Sequence, residues 1–201
     1  MENKIIKNIL SEEQIKKVYE VVDSTPDDRT RLQTRLGHKA YLVGLGDDIK
    51  KRLESVVQEH YGKDWVLNDY QFARYSKKYG YEPKLYAHFD DAFQTHRLTL
   101  DVQVHSTVSW PIVVEGKEFL LNDNEGVVFS GTDQIHWRTN LELSDDDVVD
   151  MIFCHCENIN DPRNPITKEH LDEMHKREKI WADKVNITRE EILVDREGNG
   201  E

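Results

Sequence analysis

His88-Phe89-Asp90 sets an imidazole and a carboxylate two residues apart. On a strand, positions i and i+2 share a face, so both side chains can reach one ion. A third donor must come from elsewhere, and His136 is available within Gln134-Ile-His-Trp-Arg, a second strand-like run. Two neutral imidazoles and one carboxylate form a facial triad that leaves three adjacent coordination positions open. Such a site suits non-haem Fe(II), where a co-substrate and O2 must bind side by side. Spacing alone leaves a second reading open. In it, the HxD pair is two surface strand residues and His136 is a hydrogen-bonded core histidine.

The elements around these residues bear on the choice. Residues 66–157 read as about eight short strands, punctuated by Gly, Asn and Pro. That density suggests a sandwich or barrel, not alternating strands and helices. In Arg97–His105, Leu98, Leu100, Val102 and Val104 fall on one face, and Arg97, Thr99, Asp101, Gln103 and His105 on the other. Flanking helices would cover the apolar face, and the polar face would line a wet cavity; the alternative is a strand whose polar face meets bulk water. Residues 1–65 read as mainly helical. Ser11-Glu-Glu-Gln14 is a capping box ahead of Ile15, Val18, Tyr19 and Val22. A second helix is expected from about Asp47 to His60, with Gly62 as its stop. Residues 158–201 return to helix from Thr167, with a second start at Thr188. One domain over 1–201 is expected.

The chain has 201 residues and a formal charge of −12. No basic cluster outweighs its acidic neighbours, so duplex nucleic acid is not an expected partner. No run is long and apolar enough for a membrane span, and MENKIIKNILSEEQ lacks the apolar stretch of a signal peptide. Two cysteines, Cys154 and Cys156, give no disulfide framework. A cytoplasmic protein is expected. On a strand, those two thiols share one face and His155 the other, so the three cannot meet on one ion.

Phe72-Ala-Arg-Tyr-Ser-Lys-Lys-Tyr-Gly-Tyr-Glu-Pro-Lys-Leu-Tyr-Ala-His-Phe-Asp resembles the approach to the iron site in 2-oxoglutarate-dependent oxygenases, notably the prolyl-hydroxylase-like branch. Arg97-Leu-Thr-Leu-Asp-Val-Gln-Val looks like that family's next strand. Asn124-Glu-Gly-Val-Val-Phe-Ser-Gly and Ile135-His-Trp-Arg look like its glycine turn, short strand and distal histidine. The resemblance covers roughly residues 8–157. It implies a mainly β fold with flanking helices around a double-stranded β-helix (jelly-roll, cupin-like) core. It implies His88, Asp90 and His136 as Fe(II) ligands. It also implies oxidative decarboxylation of 2-oxoglutarate to succinate, with O2 as co-substrate, coupled to hydroxylation of a small molecule or an amino-acid side chain.

One departure stands out. Family members usually carry a basic residue nine to eleven positions after the distal histidine, for the far carboxylate of 2-oxoglutarate. Here that window holds Asp145-Asp-Asp, and no Lys or Arg lies between Arg138 and Cys156. A dianion in a narrow pocket needs a cation or several donors. Arg138 is the candidate, since it shares the inward face with His136 and its planar fork suits a carboxylate. Arg97 is the second choice, and Tyr75 resembles the family's hydroxyl donor to the same carboxylate. His155 is a further candidate to face the cavity, with Met151 and Phe153. The tail helix is expected to cap the barrel or to make a homodimer contact. The missing late cation keeps two rivals open: a jelly-roll metal-binding or scaffold protein without oxygenase activity, and a metal-dependent cupin-like enzyme that does not use 2-oxoglutarate.

Overall fold

The computed structural model describes residues 2–90, 97–160 and 167–184. Two antiparallel sheets dominate. The larger has seven strands: β1 (Lys4–Lys7), β2 (Thr30–Gln33), β3 (His38–Tyr41), β4 (Trp65–Ser76), β6 (Arg97–Ser106), β9 (Glu125–Ser130) and β11 (Val148–Asn158). Their order is β1-β9-β6-β11-β4-β3-β2. The smaller sheet has β5 (Leu85–His88), β7 (Ile112–Val114), β8 (Lys117–Phe119) and β10 (His136–Arg138), in the order β5-β10-β7-β8. This is the jelly-roll arrangement that the sequence led us to expect.

The alternation in β6 sorts its residues as predicted. Leu98, Leu100, Val102 and Val104 join Phe72, Ile152, Cys154 and Cys156 in an apolar layer. Two helices cover it. The first, α1 (Glu12–Ser24), starts at the Ser11 capping box and contributes Val18 and Val22. The second, α2 (Asp47–Tyr61), contributes Ile49, Leu53, Val56 and Val57 and ends where Gly62 takes a φ of 103°. Each such side chain withdrawn from water contributes about 1.5–3 kcal/mol. This layer therefore anchors the sheet that carries the interior polar face. Burial raises the Cys156 thiol to about 12 and Cys154 well above the ordinary value, so both stay protonated within it.

The N-terminal region is not mainly helical. Three strands interrupt it, and the sheet begins at Lys4, well before residue 66. Ile5-Ile6 pairs with Val127 and Gly126 on the β9 edge. The β2–β3 hairpin extends the opposite edge by pairing with Arg74, Tyr75 and their neighbours. These segments are four residues long, and edge pairing supplies order that their own composition does not.

At the other side of the barrel, α3 (Lys168–Lys184) packs on the small sheet. Met174 sits among Ala87, Phe89, Val113, Ile135 and Trp137, and Trp181 packs against Trp137 with ring centres 4.9 Å apart and planes tilted by 40°. The helix caps the barrel, as one of the two expectations had it. The expected start at Thr188 lies outside the described residues. Among the described residues no helix is long and apolar enough to cross a membrane.

His38, on β3, is a buried residue that sequence reading passed over. It is 3% exposed, both ring nitrogens lack hydrogen-bond partners, and its ring meets Tyr75 edge-on at 4.9 Å. Burial lowers its pKa from 6.5 to about 4. Between those values the unfolded chain binds a proton that the folded one refuses, so stability falls as pH drops from 6.5 to 4. The loss amounts to about 3 kcal/mol. His38→Leu is expected to flatten the fall in chemical-denaturation midpoint over that range.

Candidate functional site

The small sheet brings the two histidines together. His136 and His88 are cross-strand partners on β10 and β5, with ring centres 4.3 Å apart. Each ring is oriented by the backbone two residues before it: Nδ1 of His88 donates to the Tyr86 carbonyl at 2.7 Å, and Nδ1 of His136 to the Gln134 carbonyl at 3.1 Å. That tautomer presents Nε2 of both rings inward. Asp90 Oδ1 lies 3.5 Å from His88 Nε2 and 3.3 Å from His136 Nε2. One donor atom from each of the three residues falls within 4.8 Å of the others, a spacing at which one ion can bridge them. Burial works against ionisation of Asp90, but His136 and His88 outweigh it and hold the carboxyl well below its usual range.

Asp90 is fixed from behind. Its backbone N–H donates to the Gly131 carbonyl at 2.8 Å, and its Oδ2 accepts the Thr99 hydroxyl. A Cβ at Gly131 would collide with both the Asp90 carboxylate and the Thr99 hydroxyl. Gly131→Ala is expected to cost about 1–3 kcal/mol in unfolding free energy, because neither neighbour can move away in a packed interior. Thermal melting of the metal-free protein checks this.

Beneath the triad lies Arg138. It is 1% exposed; Nη1 donates to the Trp110 carbonyl and the guanidinium covers the Trp110 ring at 4.9 Å. Nη2 is 3.6 Å from Asp101 Oδ2, yet Nε and Nη2 have no hydrogen-bond partner. Such buried donors are rare in folded proteins and call for an acceptor. Tyr75 stands beside them, edge-on to Trp110 at 4.9 Å. Burial is the main reason its hydroxyl keeps its proton. Burial also raises the Asp101 carboxyl, against the pull of Arg138.

Arg97 sits elsewhere. Its Nη2 pairs with Glu157 at 3.2 Å and faces Asp69 at 3.7 Å. By strand register, this cluster lies at the opposite end of the interior from Tyr75. The chain brings Arg138 and Tyr75 together and commits Arg97 to these carboxylates. Arg74 points to the outer side, held by Asp150 at 2.7 Å and 2.9 Å.

His155 faces the interior as expected, opposite Thr99 and Asp69 across the sheet. Its Nδ1 is 2.6 Å from Asp69 Oδ1, and its Nε2 is 3.9 Å from Asp90 Oδ2. Burial alone would lower the His155 pKa, but the Asp69 hydrogen bond and the Asp90 charge raise it. Asp69 went unnoticed in the sequence. It becomes visible only through register, since nothing in Asn68-Asp-Tyr-Gln marks it.

No family model and no curated protein matches the sequence. Solved structures do resemble the fold. An oxidoreductase of the 2OG-Fe(II) oxygenase family from Burkholderia pseudomallei superposes with a TM-score of 0.61 at 10% identity, covering 81% of this chain and 88% of that one. This chain has the fold of that enzyme. HygX from Streptomyces hygroscopicus, solved with nickel and 2-oxoglutarate bound, gives 0.56 at 9% identity over 76% and 82% of the two chains. A prolyl hydroxylase from Trichoplax adhaerens, in complex with a hypoxia inducible factor peptide fragment, gives 0.55 at 13% identity over 78% and 83%. The three alignments thus cover at least three quarters of each chain.

Proposed function

We propose that the chain is a non-haem Fe(II)/2-oxoglutarate-dependent dioxygenase. It converts 2-oxoglutarate and O2 to succinate and CO2 and places the second oxygen atom on a bound substrate as a hydroxyl. The observation that carries this reading is the convergence of His88, Asp90 and His136 inside a jelly-roll. Two imidazole nitrogens and one carboxylate oxygen fit Fe(II), and three donors on one face leave room for others. The unpartnered donors of Arg138 are the second support, because a carboxylate is the acceptor their geometry suits. HygX has been solved with iron, and with nickel and 2-oxoglutarate, which supports the same ligands here.

In this reading His88, Asp90 and His136 hold the iron. When bound, Fe(II) supplies the O2-dependent redox chemistry of decarboxylation and hydroxylation. The remaining work belongs to the chain. Arg138 binds the far carboxylate of 2-oxoglutarate through its fork, and the Tyr75 hydroxyl donates to the same group. Trp110 keeps the guanidinium flat and dry, which strengthens its hold on an anion. The substrate, a small molecule or an amino-acid side chain, approaches from the end where Asp69 and His155 are partly exposed.

The test is turnover without a known substrate, since enzymes of this kind consume some 2-oxoglutarate uncoupled. Aerobic protein with Fe(II) is expected to release succinate above the metal-free and His88→Ala controls. Iron-loaded protein that leaves 2-oxoglutarate intact, with or without a panel of candidate substrates, would overturn the proposal.

A further inference from the structure

Asp90 has two oxygens, and the structure treats them differently. Oδ1 faces both imidazole Nε2 atoms, at 3.5 and 3.3 Å. Oδ2 faces away from them and accepts the hydroxyl of Thr99, which is 3% exposed. Thr99 is locked in the middle of the large sheet, paired with Phe129 on β9 and His155 on β11. The carboxylate is already seated against Gly131, where an added methyl group would overlap both Oδ2 and the Thr99 hydroxyl. Its backbone is tied to the same glycine.

A carboxylate can bind an ion through one oxygen or two. That choice matters for a triad. A six-coordinate ion held by three protein donors would keep three positions for other ligands, and a chelating keto acid together with O2 would need all three. If Asp90 bound through both oxygens, that third position would be gone.

We infer that Thr99 is a positioning residue that holds Asp90 Oδ2 away from the ion, so that Asp90 binds through Oδ1 alone and the third open position survives. The inference rests on the proposed metal site and deepens it. Thr99 acts through Asp90: its hydroxyl donates to the oxygen that would otherwise turn to the ion. Residues that orient metal ligands in this way typically account for 10–100-fold in metal affinity or activity.

The test uses Co(II), whose visible d–d band reports coordination number and geometry without any turnover. Thr99→Val removes the hydroxyl and keeps the shape. Thr99→Ser keeps the hydroxyl and removes a methyl group. Thr99→Val is expected to bind Co(II) about tenfold or more weakly, with a changed d–d band. Thr99→Ser is expected to stay within about twofold of wild type in affinity with the wild-type band. Circular dichroism and melting of the metal-free proteins establish that each variant is folded, and the serine variant carries the test if the valine variant is not. Thr99→Val with wild-type affinity and an unchanged band would overturn the inference while leaving the metal site intact. So would Thr99→Ser with a changed band or weakened affinity, since that would trace the effect to packing and not to the hydroxyl. Wild-type protein that binds no Co(II) would overturn the metal site itself, and this inference with it.

Discussion

His136→Ala is expected to weaken Fe(II) binding by at least ~10³-fold, about 4 kcal/mol. The site has three protein donors, and a two-donor remnant holds an Fe(II) ion poorly against water. Nothing else described in the site replaces the lost nitrogen. His155 comes nearest, but its Nδ1 is engaged by Asp69, and its Nε2 stands 3.9 Å from the far oxygen of Asp90. The check is metal content after anaerobic dialysis against a weak chelator. Wild type is expected to retain close to one iron per chain and the variant essentially none. A variant that retains the wild-type amount would remove His136 from the site.

The second large effect separates the co-substrate from the metal. Arg138→Ala is expected to weaken 2-oxoglutarate binding by about 100-fold, near 3 kcal/mol, and to leave Fe(II) affinity within a few-fold. Truncating one member of a buried charged pair costs about 2–5 kcal/mol, because the partner charge is left dry and unpaired. Arg138→Lys is expected to recover only part of the loss. A lysine keeps the charge but presents a point donor in place of the planar fork, and it gives up the stacking on Trp110. Asp101 complicates the structural side of this variant, since it loses the guanidinium that faces it at 3.6 Å. Arg138→Ala with Asp101→Asn relieves that charge. The double variant is expected to be more stable than Arg138→Ala and equally poor at binding 2-oxoglutarate. Isothermal titration of the iron-loaded proteins measures the binding, and thermal melting measures the stability. Wild-type affinity in Arg138→Ala would return the clamp to an open question and favour a metal protein that does not use 2-oxoglutarate.

The triad was legible because its geometry is local. His88 ends β5 and Asp90 follows it just past the strand, still converging as the two-residue spacing predicts, and the ordering of His136 after a glycine turn was visible in the residues themselves. The β6 alternation was legible for the same reason: four aliphatic residues against five polar ones leave little choice of face. The short strands near the N-terminus were not. Lys4-Ile-Ile-Lys and His38-Lys-Ala-Tyr carry no strong period, and pairing with β9 and β4 orders them from outside. Asp69, and the contacts that Thr99 and His155 make, were hidden for a different reason. Thr99, Asp69 and His155 lie on three strands and meet only because β6, β11 and β4 pair in one register. His38 looked like any polar loop-edge residue until its burial was seen. Arg97 shows the opposite error. Its face and charge suited a carboxylate clamp, but two acidic neighbours on β4 and β11 already hold it.

The most direct measurement is anaerobic titration of the iron-loaded protein with 2-oxoglutarate, followed through the weak visible charge-transfer band of a keto acid chelated to Fe(II). The expected result is a saturable band in wild type that is absent in His136→Ala and appears only at about 100-fold higher 2-oxoglutarate in Arg138→Ala. Wild-type protein that holds iron yet shows no band at millimolar 2-oxoglutarate would contradict the proposed function.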